Sequence, residues 1–289
     1  MRKAREGAEY MTLPLIGLCT VCMLTAATGL STVYLSSFTN LVKPAFLELF
    51  KAYVNYGDKV KTLGYIGTAQ FAYNPDSLKS RGEQRRRARY DAKQKMGEIS
   101  QVLGLDGGDP INIELDREDF SKDKLKEAIM SCSVIYVDGG NTFYLQKAMR
   151  DICFWEVALP ILKSRDRQYT YMGASAGGIC AGASVTTALF KGWDDPRAGG
   201  AISEDYVWDA ESYKGANVIG GDSLYTIFPH FKEEEGHAEL IGSKLRLLGP
   251  GEKVLAVGDH EAIVKRGNEE LMCFDSLNTG TVPLRIFSQ

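Results

Sequence analysis

The sequence predicts an α/β fold, with a mostly parallel sheet flanked by helices and an antiparallel β tail. After residue 30, short β-branched runs alternate with longer helical patterns, which is the order of strand–helix–strand units. Polar or glycine-rich residues follow several of these runs directly, at the strand ends where open α/β sheets place their sites. From Lys253 the chain contains short strand-like runs separated by turns.

The expected elements follow from local patterns. Short apolar or β-branched runs predict strands at residues 32–35, 60–67, 111–115, 133–137, 169–174 and 225–228. Polar helix-forming stretches and start signals predict helices at residues 44–56, within 76–103, from 121, from 142 and at 233–248. Pro44 suits the first turn of a helix, and Ser121 is a suitable N-cap. The segment 191–222 is rich in glycine, aspartate and aromatic residues, which predicts loops around a site.

Length and composition indicate one catalytic domain. The chain has 289 residues, of which 44% are hydrophobic and 25% are charged. We expect residues 31–289 to form this domain and residues 1–30 to form an apolar N-terminal extension. The net charge of −3 provides no field for gripping a polyanion, so no nucleic-acid partner is expected. The one basic cluster, residues 81–89, is interpreted as a solvated helix face.

The N-terminal extension allows three interpretations. No charged residue occurs from Tyr10 to Val42, and residues 11–30 are predominantly apolar. The segment could be a secretory signal, a membrane anchor or an uncleaved extension. Two glutamates and Pro14 weaken the first two interpretations, so we expect an uncleaved extension, a cytoplasmic protein and no other membrane contact.

The six cysteines do not form the framework of a disulfide-rich protein in a chain of this length. Cys132, Cys153 and Cys180 lie in apolar segments and are expected in the core, which suits a reducing compartment. Cys19 and Cys22 form a CxxC without a second pair or a nearby histidine. The sequence therefore predicts no metal site and no cofactor.

The segment GASAG, residues 173–177, is the strongest candidate for chemistry. A serine with a glycine two residues away on each side, after an apolar run, suits a sharp strand-to-helix turn that exposes the hydroxyl of Ser175. The start of the following helix would direct amide N–H groups at an oxyanion formed there. Ser175 is therefore predicted to be a nucleophile.

Histidine is the usual base for a serine nucleophile, and this chain has only three. His230 follows a predicted strand, at the sheet edge that should also carry Ser175. His237 lies beside three glutamates and is expected to be solvated, and His260 lies in the β tail and is expected to be structural. His230 is the predicted base.

The remaining parts of the site are less closely specified by the sequence. The amide of Ala176 is one expected oxyanion-hole donor, and the glycine pair Gly139–Gly140 at the end of a strand offers the second. A triad also needs an acid. Asp194 and Asp195 lie between the serine and the histidine, and three further acids compete with them: Glu204, Asp205 and Asp209.

Three segments together resemble the serine exopeptidases that include aspartyl dipeptidase (dipeptidase E) and cyanophycinase. They are VDGGNTFYLQ (137–146), YMGASAGG (171–178) and IFPHF (227–231), in that order. The resemblance runs from about Ser31 to the C-terminus. It implies a doubly wound sheet like that of class I glutamine amidotransferases, with serine in place of the cysteine at the elbow.

The resemblance also implies roles and a substrate class. Ser175 becomes the nucleophile, His230 the base, and the amides of Gly140 and Ala176 the oxyanion hole. Asn141, the last polar residue of the GGN motif, is a candidate for substrate binding. The implied substrates are small peptides of acidic N-terminal or β-aspartyl character, cleaved without a metal.

Two departures from the family pattern bear on these implications. The acid expected just after TTN would here lie across an insertion, ALFKGWDDP. The arginine that grips the aspartyl carboxylate in the dipeptidase branch is replaced at that spacing by Gly242, with Lys244 and Arg246 nearby. Preference for aspartyl substrates is therefore open.

The sequence thus predicts a serine exopeptidase that hydrolyses short peptides through an acyl-enzyme. The expected partners are a small peptide substrate and a second copy of the chain in a homodimer. Two alternatives stay open. An esterase of the α/β-hydrolase type shares GxSxG, and a non-catalytic amidotransferase-like binding protein would keep the pocket without a working acid.

Overall fold

The computed structural model describes residues 31–37, 62–164, 168–197, 206–277 and 280–289. Several expectations fall outside these ranges. They concern the N-terminal extension at residues 1–30, the CxxC at Cys19 and Cys22, the helix at 44–56, and the acids Glu204 and Asp205.

The main sheet has eight strands in the order β10-β9-β8-β1-β5-β4-β2-β3. Its parallel part consists of β1 (Thr32–Ser36), β2 (Leu63–Ile66), β3 (Ile111–Asn112), β4 (Val134–Val137) and β5 (Thr170–Ala174). Its antiparallel part consists of β8 (Glu261–Arg266), β9 (Met272–Asp275) and β10 (Gly280–Val282). The mostly parallel sheet with an antiparallel extension agrees with the predicted fold class.

A second sheet has three strands in the order β11-β7-β6. These are β6 (Leu224–Phe231), β7 (Glu252–Gly258) and β11 (Arg285–Phe287). Within the predicted antiparallel tail, β7 pairs antiparallel with β11, and it also pairs in parallel with β6, which precedes the tail. Because β6 and β7 are parallel, their carboxyl ends meet at one edge, and the residues that follow them lie close together.

Seven α-helices are present in the described ranges. They are α1 (Arg81–Val102), α2 (Lys122–Ser131), α3 (Thr142–Asp151), α4 (Phe154–Leu162), α5 (Ala176–Ala181), α6 (Ala210–Tyr213) and α7 (His237–Lys244). Ser121 caps α2 as predicted, since its side chain accepts a hydrogen bond from the Lys124 N–H. Within these ranges, no helix is both long enough and apolar enough to cross a bilayer.

The core lies on both faces of the main sheet, because alternate residues of a strand point to opposite faces. In β1, Leu35 packs with apolar residues of α2 to α5, whereas Tyr34 packs with residues of α1. The same alternation holds in β4, where Ile135 and Tyr136 join different clusters. Helices therefore cover both faces, as a doubly wound sheet requires.

The predicted helix at 233–248 is interrupted. Residues 233–235 form a 3-10 turn, Gly236 adopts φ 72°, and only His237–Lys244 is α-helical. His237 is buried rather than solvated, because its ring packs edge-on against Phe228 and Phe231 and its Nδ1 accepts the Lys232 N–H. Burial of the ring also lowers the pKa of His237.

The basic cluster at the start of α1 is paired rather than simply solvated. Arg85 contacts Asp116 at 2.8 Å, and Arg89 contacts Glu114 at 2.6 Å. Arg87 forms an exposed i,i+4 pair with Asp91. Asp116 and Glu114 lie beyond the carboxyl end of β3, so the first two pairs join α1 to the sheet edge. The exposed Arg87–Asp91 pair lies within α1 and contributes only about 0–1 kcal/mol.

Candidate active site

Ser175 lies on a sharp turn between β5 and α5. Its backbone angles are φ 48° and ψ −108°, outside the regions favoured by L-residues. The neighbouring glycines make the turn possible: a Cβ on Gly173 would lie 2.7 Å from the Gly177 backbone, and one on Gly177 would lie 2.2 Å from the Val137 carbonyl oxygen. The predicted elbow is thus a strained turn held by close backbone packing.

We expect Gly177→Ala to destabilise the protein by about 2 kcal/mol or more, because the added methyl overlaps the backbone of β4. The matched control is Gly97→Ala in α1, where a Cβ meets nothing within 4 Å. That variant should be stabilised by about 0.5–1 kcal/mol, the usual gain of alanine over glycine in a helix. Urea unfolding of both variants measures the difference, and equal stability of the two would contradict this account of the elbow.

His230 occupies an irregular position near the end of β6. The register of β6 against β7 shifts between Phe228 and Phe231, and His230 itself has φ 55°. Its N–H donates to Ser37 Oγ at 2.8 Å, and that hydroxyl donates to the Val257 carbonyl at 2.9 Å. Ser37, just after β1, therefore fixes the histidine backbone to the end of β7.

The His230 ring joins a serine to a carboxylate. Its Nε2 lies 3.1 Å from Ser175 Oγ, and its Nδ1 lies 2.8 Å from Asp259 Oδ1. An ionised carboxylate only accepts hydrogen bonds, so Asp259 requires a proton on Nδ1 and leaves the lone pair of Nε2 for the serine hydroxyl. This is the arrangement of a Ser–His–Asp triad.

Asp259 is held in place by the strands around it. It directly follows β7, and Glu261 at the start of β8 accepts the Gly258 N–H at 2.7 Å. Arg285 of β11 in turn donates to Glu261 at 2.6 Å. Gly258, which precedes Asp259, is thus held at its N–H by Glu261 and at its carbonyl by Ser37.

The predicted acids Asp194 and Asp195 are not the ones at the Nδ1 atom, and this expectation is corrected. Asp194 Oδ2 accepts the Thr142 N–H at the start of α3, at 3.1 Å. The Asp195 side chain is exposed and accepts the Arg197 N–H. Asp209, a third candidate, caps α6 through Ser212. Each of the three carboxylates therefore accepts a backbone N–H, locally for Asp195 and Asp209 and from α3 for Asp194.

Sequence reasoning missed Asp259 although a signal existed. Asp259 directly follows the run VLAVG, just as His230 directly follows TIFP, and both runs are short and apolar. Had these runs been interpreted as parallel neighbours, Asp259 would have been expected at the same edge as His230.

The glycine pair after β4 lies against the serine. A Cβ on Gly139 would be 3.2 Å from the Ser175 Cβ, and Gly140 has φ 138° with no room for a side chain beside Ala69. The Gly139 and Asn141 N–H groups donate to Asp138 and to Ala69. Among the described residues the Gly140 N–H has no acceptor. It is thus available to an atom bound near the serine.

Asp138 fixes this loop from below. The buried carboxylate accepts hydrogen bonds from Tyr65 Oη at 2.5 Å, from Lys95 Nζ at 2.6 Å and from the Gly139 N–H at 2.8 Å. Gln70 Nε2 donates to the same carboxylate. The charge of Asp138 is thereby neutralised by Lys95, and its remaining lone pairs hold the backbone that precedes Gly140.

Asn141 has structural partners of its own. Its Oδ1 accepts the Tyr144 N–H as the N-cap of α3, and its Nδ2 donates to the Asp195 carbonyl at 3.1 Å. The predicted substrate-binding side chain therefore joins α3 to the 194–195 segment.

A partly open pocket lies beside Ser175 and His230. Its apolar wall includes Ile179, Ala188 and Phe228, and its polar lining residues include Lys191 and Asp194. Burial raises the pKa of Asp194, a change that its hydrogen bond to Thr142 opposes. Burial also lowers the pKa of Lys191 to about 8. Both ionised forms are thus poorly compensated in this pocket.

The pKa of His230 is lowered, as is the pKa of Lys191. Burial lowers the pKa of His230 below its usual value, and the hydrogen bond to Asp259 opposes this shift. The ammonium of Lys191 adds to the lowering. The imidazole is therefore neutral, and able to accept a proton, near pH 7.

None of the cysteines that the structure describes lines this pocket. Cys132, Cys180 and Cys273 are buried and form no disulfide, and Cys153 is partly exposed. In the part of the chain that the structure describes, no three His, Cys, Asp or Glu side chains converge as ligands of a metal ion would.

Comparison with known proteins agrees with this geometry. The profile of Peptidase family S51 matches residues 91–272, which is well over half of the chain and contains Ser175, His230 and Asp259. A search of curated proteins finds no match.

Two solved structures share the fold. One is a protein from Listeria monocytogenes EGD-e assigned provisionally as a peptidase E, with a TM-score of 0.56, 18% identity, and coverage of 85% of this chain and 98% of that one. The other is a peptidase from an acI-B1 Actinobacterium, with a TM-score of 0.55, 17% identity, and coverage of 91% and 95%. From the family match and the elbow, the chain belongs to peptidase family S51 and is a serine peptidase.

Proposed function

We propose that this chain is a serine exopeptidase that cleaves short peptides, in the manner of a dipeptidase, through an acyl-enzyme formed on Ser175. The observation that carries the proposal is the continuous hydrogen-bond chain from Ser175 Oγ through His230 to Asp259, with distances of 3.1 and 2.8 Å. The pocket beside it is lined by apolar and charged side chains and is where the substrate would bind.

Acylation begins when Ser175 Oγ attacks the carbonyl carbon of the scissile bond and His230 Nε2 takes the hydroxyl proton. The carbonyl electron pair moves onto oxygen, and the new C–O bond gives a tetrahedral intermediate. Its collapse breaks the C–N bond, and His230 gives the proton to the leaving amine. A water molecule then repeats these steps on the acyl-enzyme and restores the serine.

Asp259 stabilises the imidazolium that forms in each half-reaction and keeps the proton on Nδ1. The developing oxyanion is bound by the N–H groups of Gly140 and Ala176. Ala176 is the first residue of α5, so its N–H has no partner within that helix. In this proposal the two N–H groups together form the oxyanion hole.

The two alternative functions each make a prediction about the triad acid that differs from what is observed beside His230. A binding protein without a working acid is disfavoured, because Asp259 supplies the acid that Asp194 and Asp195 do not. An α/β-hydrolase-type esterase would place its acid before its histidine in sequence, whereas here the order is Ser175, His230, Asp259.

This chain lacks the arginine that binds the aspartyl carboxylate in the dipeptidase branch, so a preference for acidic N-terminal residues has no support from that position. That position is Gly242, and the nearby Lys244 donates to the backbone carbonyls of Leu189 and Phe190. We therefore propose short peptides as the substrate class, with aspartyl and β-aspartyl peptides as members to be tested.

A substrate panel tests the proposal. Wild-type protein would be assayed with neutral dipeptides, Asp-Leu, β-Asp-Leu, a pentapeptide of the same residues, and p-nitrophenyl acetate. We expect kcat/KM for at least one dipeptide to exceed that for the pentapeptide by about 10-fold or more. Efficient ester turnover without cleavage of any dipeptide would contradict exopeptidase function and favour the esterase.

The pH dependence follows from the base. His230 acts when neutral, and its pKa is lowered by burial and by Lys191. Activity should therefore persist below the ordinary histidine value of roughly 6.5 and decline only as the pH falls through the lowered pKa. A pH profile of kcat/KM measures this limb, and an acidic limb centred at 7 or above would contradict the assignment of His230.

A further inference from the structure

Lys191 is the one lysine that lines the pocket beside Ser175. Its ammonium donates to the carbonyl oxygens of Pro229, at 3.0 Å, and His230, at 2.6 Å. An ammonium group has three N–H bonds. Two are therefore used by the backbone that carries the catalytic histidine, and among the described residues the third has no acceptor.

The charge of Lys191 is only weakly compensated. The ammonium lies 4.3 Å from the centre of the Trp193 ring and 4.5 Å from that of Phe228, so two aromatic faces contact it. In the described part of the chain no carboxylate lies within ion-pair distance of its Nζ. The lowered pKa of this group agrees with the same conclusion. An anion that enters the pocket would meet the half-buried ammonium of Lys191, whose third N–H has no acceptor among the described residues.

The other pocket-lining acid does not satisfy Lys191. Asp194 accepts the Thr142 N–H, at the start of α3. Lys191 is attached to the end of β6, and no ion pair between the two side chains is present in the described ranges. The pocket thus has a positive side along β6 and a negative side along α3.

The position of Lys191 relative to the reaction indicates which part of a peptide it meets. His230 Nε2 delivers the proton to the leaving amine, so the residue after the scissile bond lies on the side of His230. Lys191 donates a hydrogen bond to the backbone carbonyl of His230 and therefore lies on the same side. In a dipeptide, the residue that carries the leaving amine also carries the C-terminal carboxylate, on the same Cα atom.

We propose that Lys191 binds the free C-terminal carboxylate of the substrate and so makes the site selective for peptides that end one residue after the scissile bond. This inference rests on the proposed exopeptidase function and adds its specificity-determining residue. Trp193 covers the ammonium from the solvent side, since its ring is exposed and lies over both Lys191 and His230.

The test compares each dipeptide with its C-terminal amide. For wild-type protein we expect kcat/KM to fall about 10- to 100-fold on amidation, the effect of one charge-assisted hydrogen bond. In Lys191→Met this ratio should approach one, and Lys191→Arg should restore most of it. The ratio cancels any general loss of activity in a variant.

Lys244→Met is the matched control. Lys244 also donates to two backbone carbonyls and lies over an aromatic ring, that of Phe190, but it does not line the pocket. We expect this variant to keep the wild-type ratio between dipeptide and amide. Loss of the ratio in Lys244→Met and its retention in Lys191→Met would overturn the proposal.

A second comparison distinguishes the C-terminal carboxylate of the substrate from a side-chain carboxylate. Asp-Leu and Asn-Leu differ only in a side-chain carboxylate, whereas Asn-Leu and its amide differ only at the C-terminus. We expect Lys191→Met to abolish the second difference and to leave the first. The opposite result would assign Lys191 to an acidic side chain and overturn the proposal.

Binding to Ser175→Ala protein keeps this test independent of catalysis. Isothermal titration calorimetry would measure affinity for Asn-Leu and for its amide in Ser175→Ala alone and combined with Lys191→Met. Weaker binding of the amide, with the difference removed by Lys191→Met, supports the subsite even if no peptide is hydrolysed. Equal affinities in Ser175→Ala alone, in protein whose Tm is unchanged, would overturn the subsite whether or not the wild type is a peptidase.

Discussion

Ser175→Ala should lower kcat/KM for dipeptides by about 10⁴-fold or more, because the variant has no nucleophile for acylation. Loss of a triad member in serine peptidases leaves only the contribution of the oxyanion hole and of substrate binding. Alanine fits at this position, because its side chain is that of serine without the Oγ atom. Steady-state assays with the best dipeptide of the panel measure the effect.

The control for this variant is substrate affinity. Ser175→Ala should still bind the dipeptide, because the N–H groups of Gly140 and Ala176 belong to the backbone and stay in place. Activity within 10-fold of wild type would show that the hydroxyl of Ser175 is not the nucleophile. The same result would leave the elbow as a structural turn.

Asp259→Asn is expected to lower kcat by about 10⁴-fold while KM changes little. An amide at this position can donate to Nδ1, which stabilises the tautomer with the proton on Nε2 and removes the lone pair that the serine needs. The amide also carries no charge to stabilise the imidazolium. Stopped assays at the pH optimum, with urea unfolding to verify the fold, measure both effects.

Asp195→Asn is the matched control for this change. Its carboxylate is exposed and accepts a backbone N–H two residues away, so kcat should stay within about 3-fold of wild type. If Asp195→Asn were as damaging as Asp259→Asn, the acid would have to be sought in the 194–195 segment. Such a result would require a site geometry different from the one described.

Ser175, His230 and the glycine pair could be predicted from the sequence because the chemistry of each is written in a local segment. A glycine two residues before and after a serine is required by the packing of the turn itself, with Gly177 against Val137. His230 was accessible because only three histidines compete for the role. These features need no knowledge of which strands are neighbours.

Asp259 could not be predicted in this way, because its role depends on a strand pairing that is not encoded locally. The stretch from Lys253 to Gly267 has the pattern of a β-hairpin, two apolar runs around a short turn. In the fold the two runs, β7 and β8, belong to different sheets, and β7 lies parallel to β6. Strand pairing is decided by tertiary packing, which a single sequence constrains weakly.

His237 illustrates the same limit. Three preceding glutamates indicate a solvated segment, but Gly236 turns the chain with φ 72° and directs the imidazole between Phe228 and Phe231. The break in the predicted helix and the burial of the ring therefore have one cause. A glycine within a polar helical pattern carries that signal only weakly.

The central claim is that Ser175, His230 and Asp259 act together, and covalent labelling tests it most directly. Wild-type protein, Asp259→Asn and Asp195→Asn would be treated with a fluorophosphonate, the inactivation rate constants measured, and the adduct located by peptide mass spectrometry. We predict an adduct on Ser175, a rate slowed by about 10³-fold or more in Asp259→Asn, and an unchanged rate in Asp195→Asn. Equal labelling rates in wild type and Asp259→Asn, or an adduct at another residue, would contradict the triad.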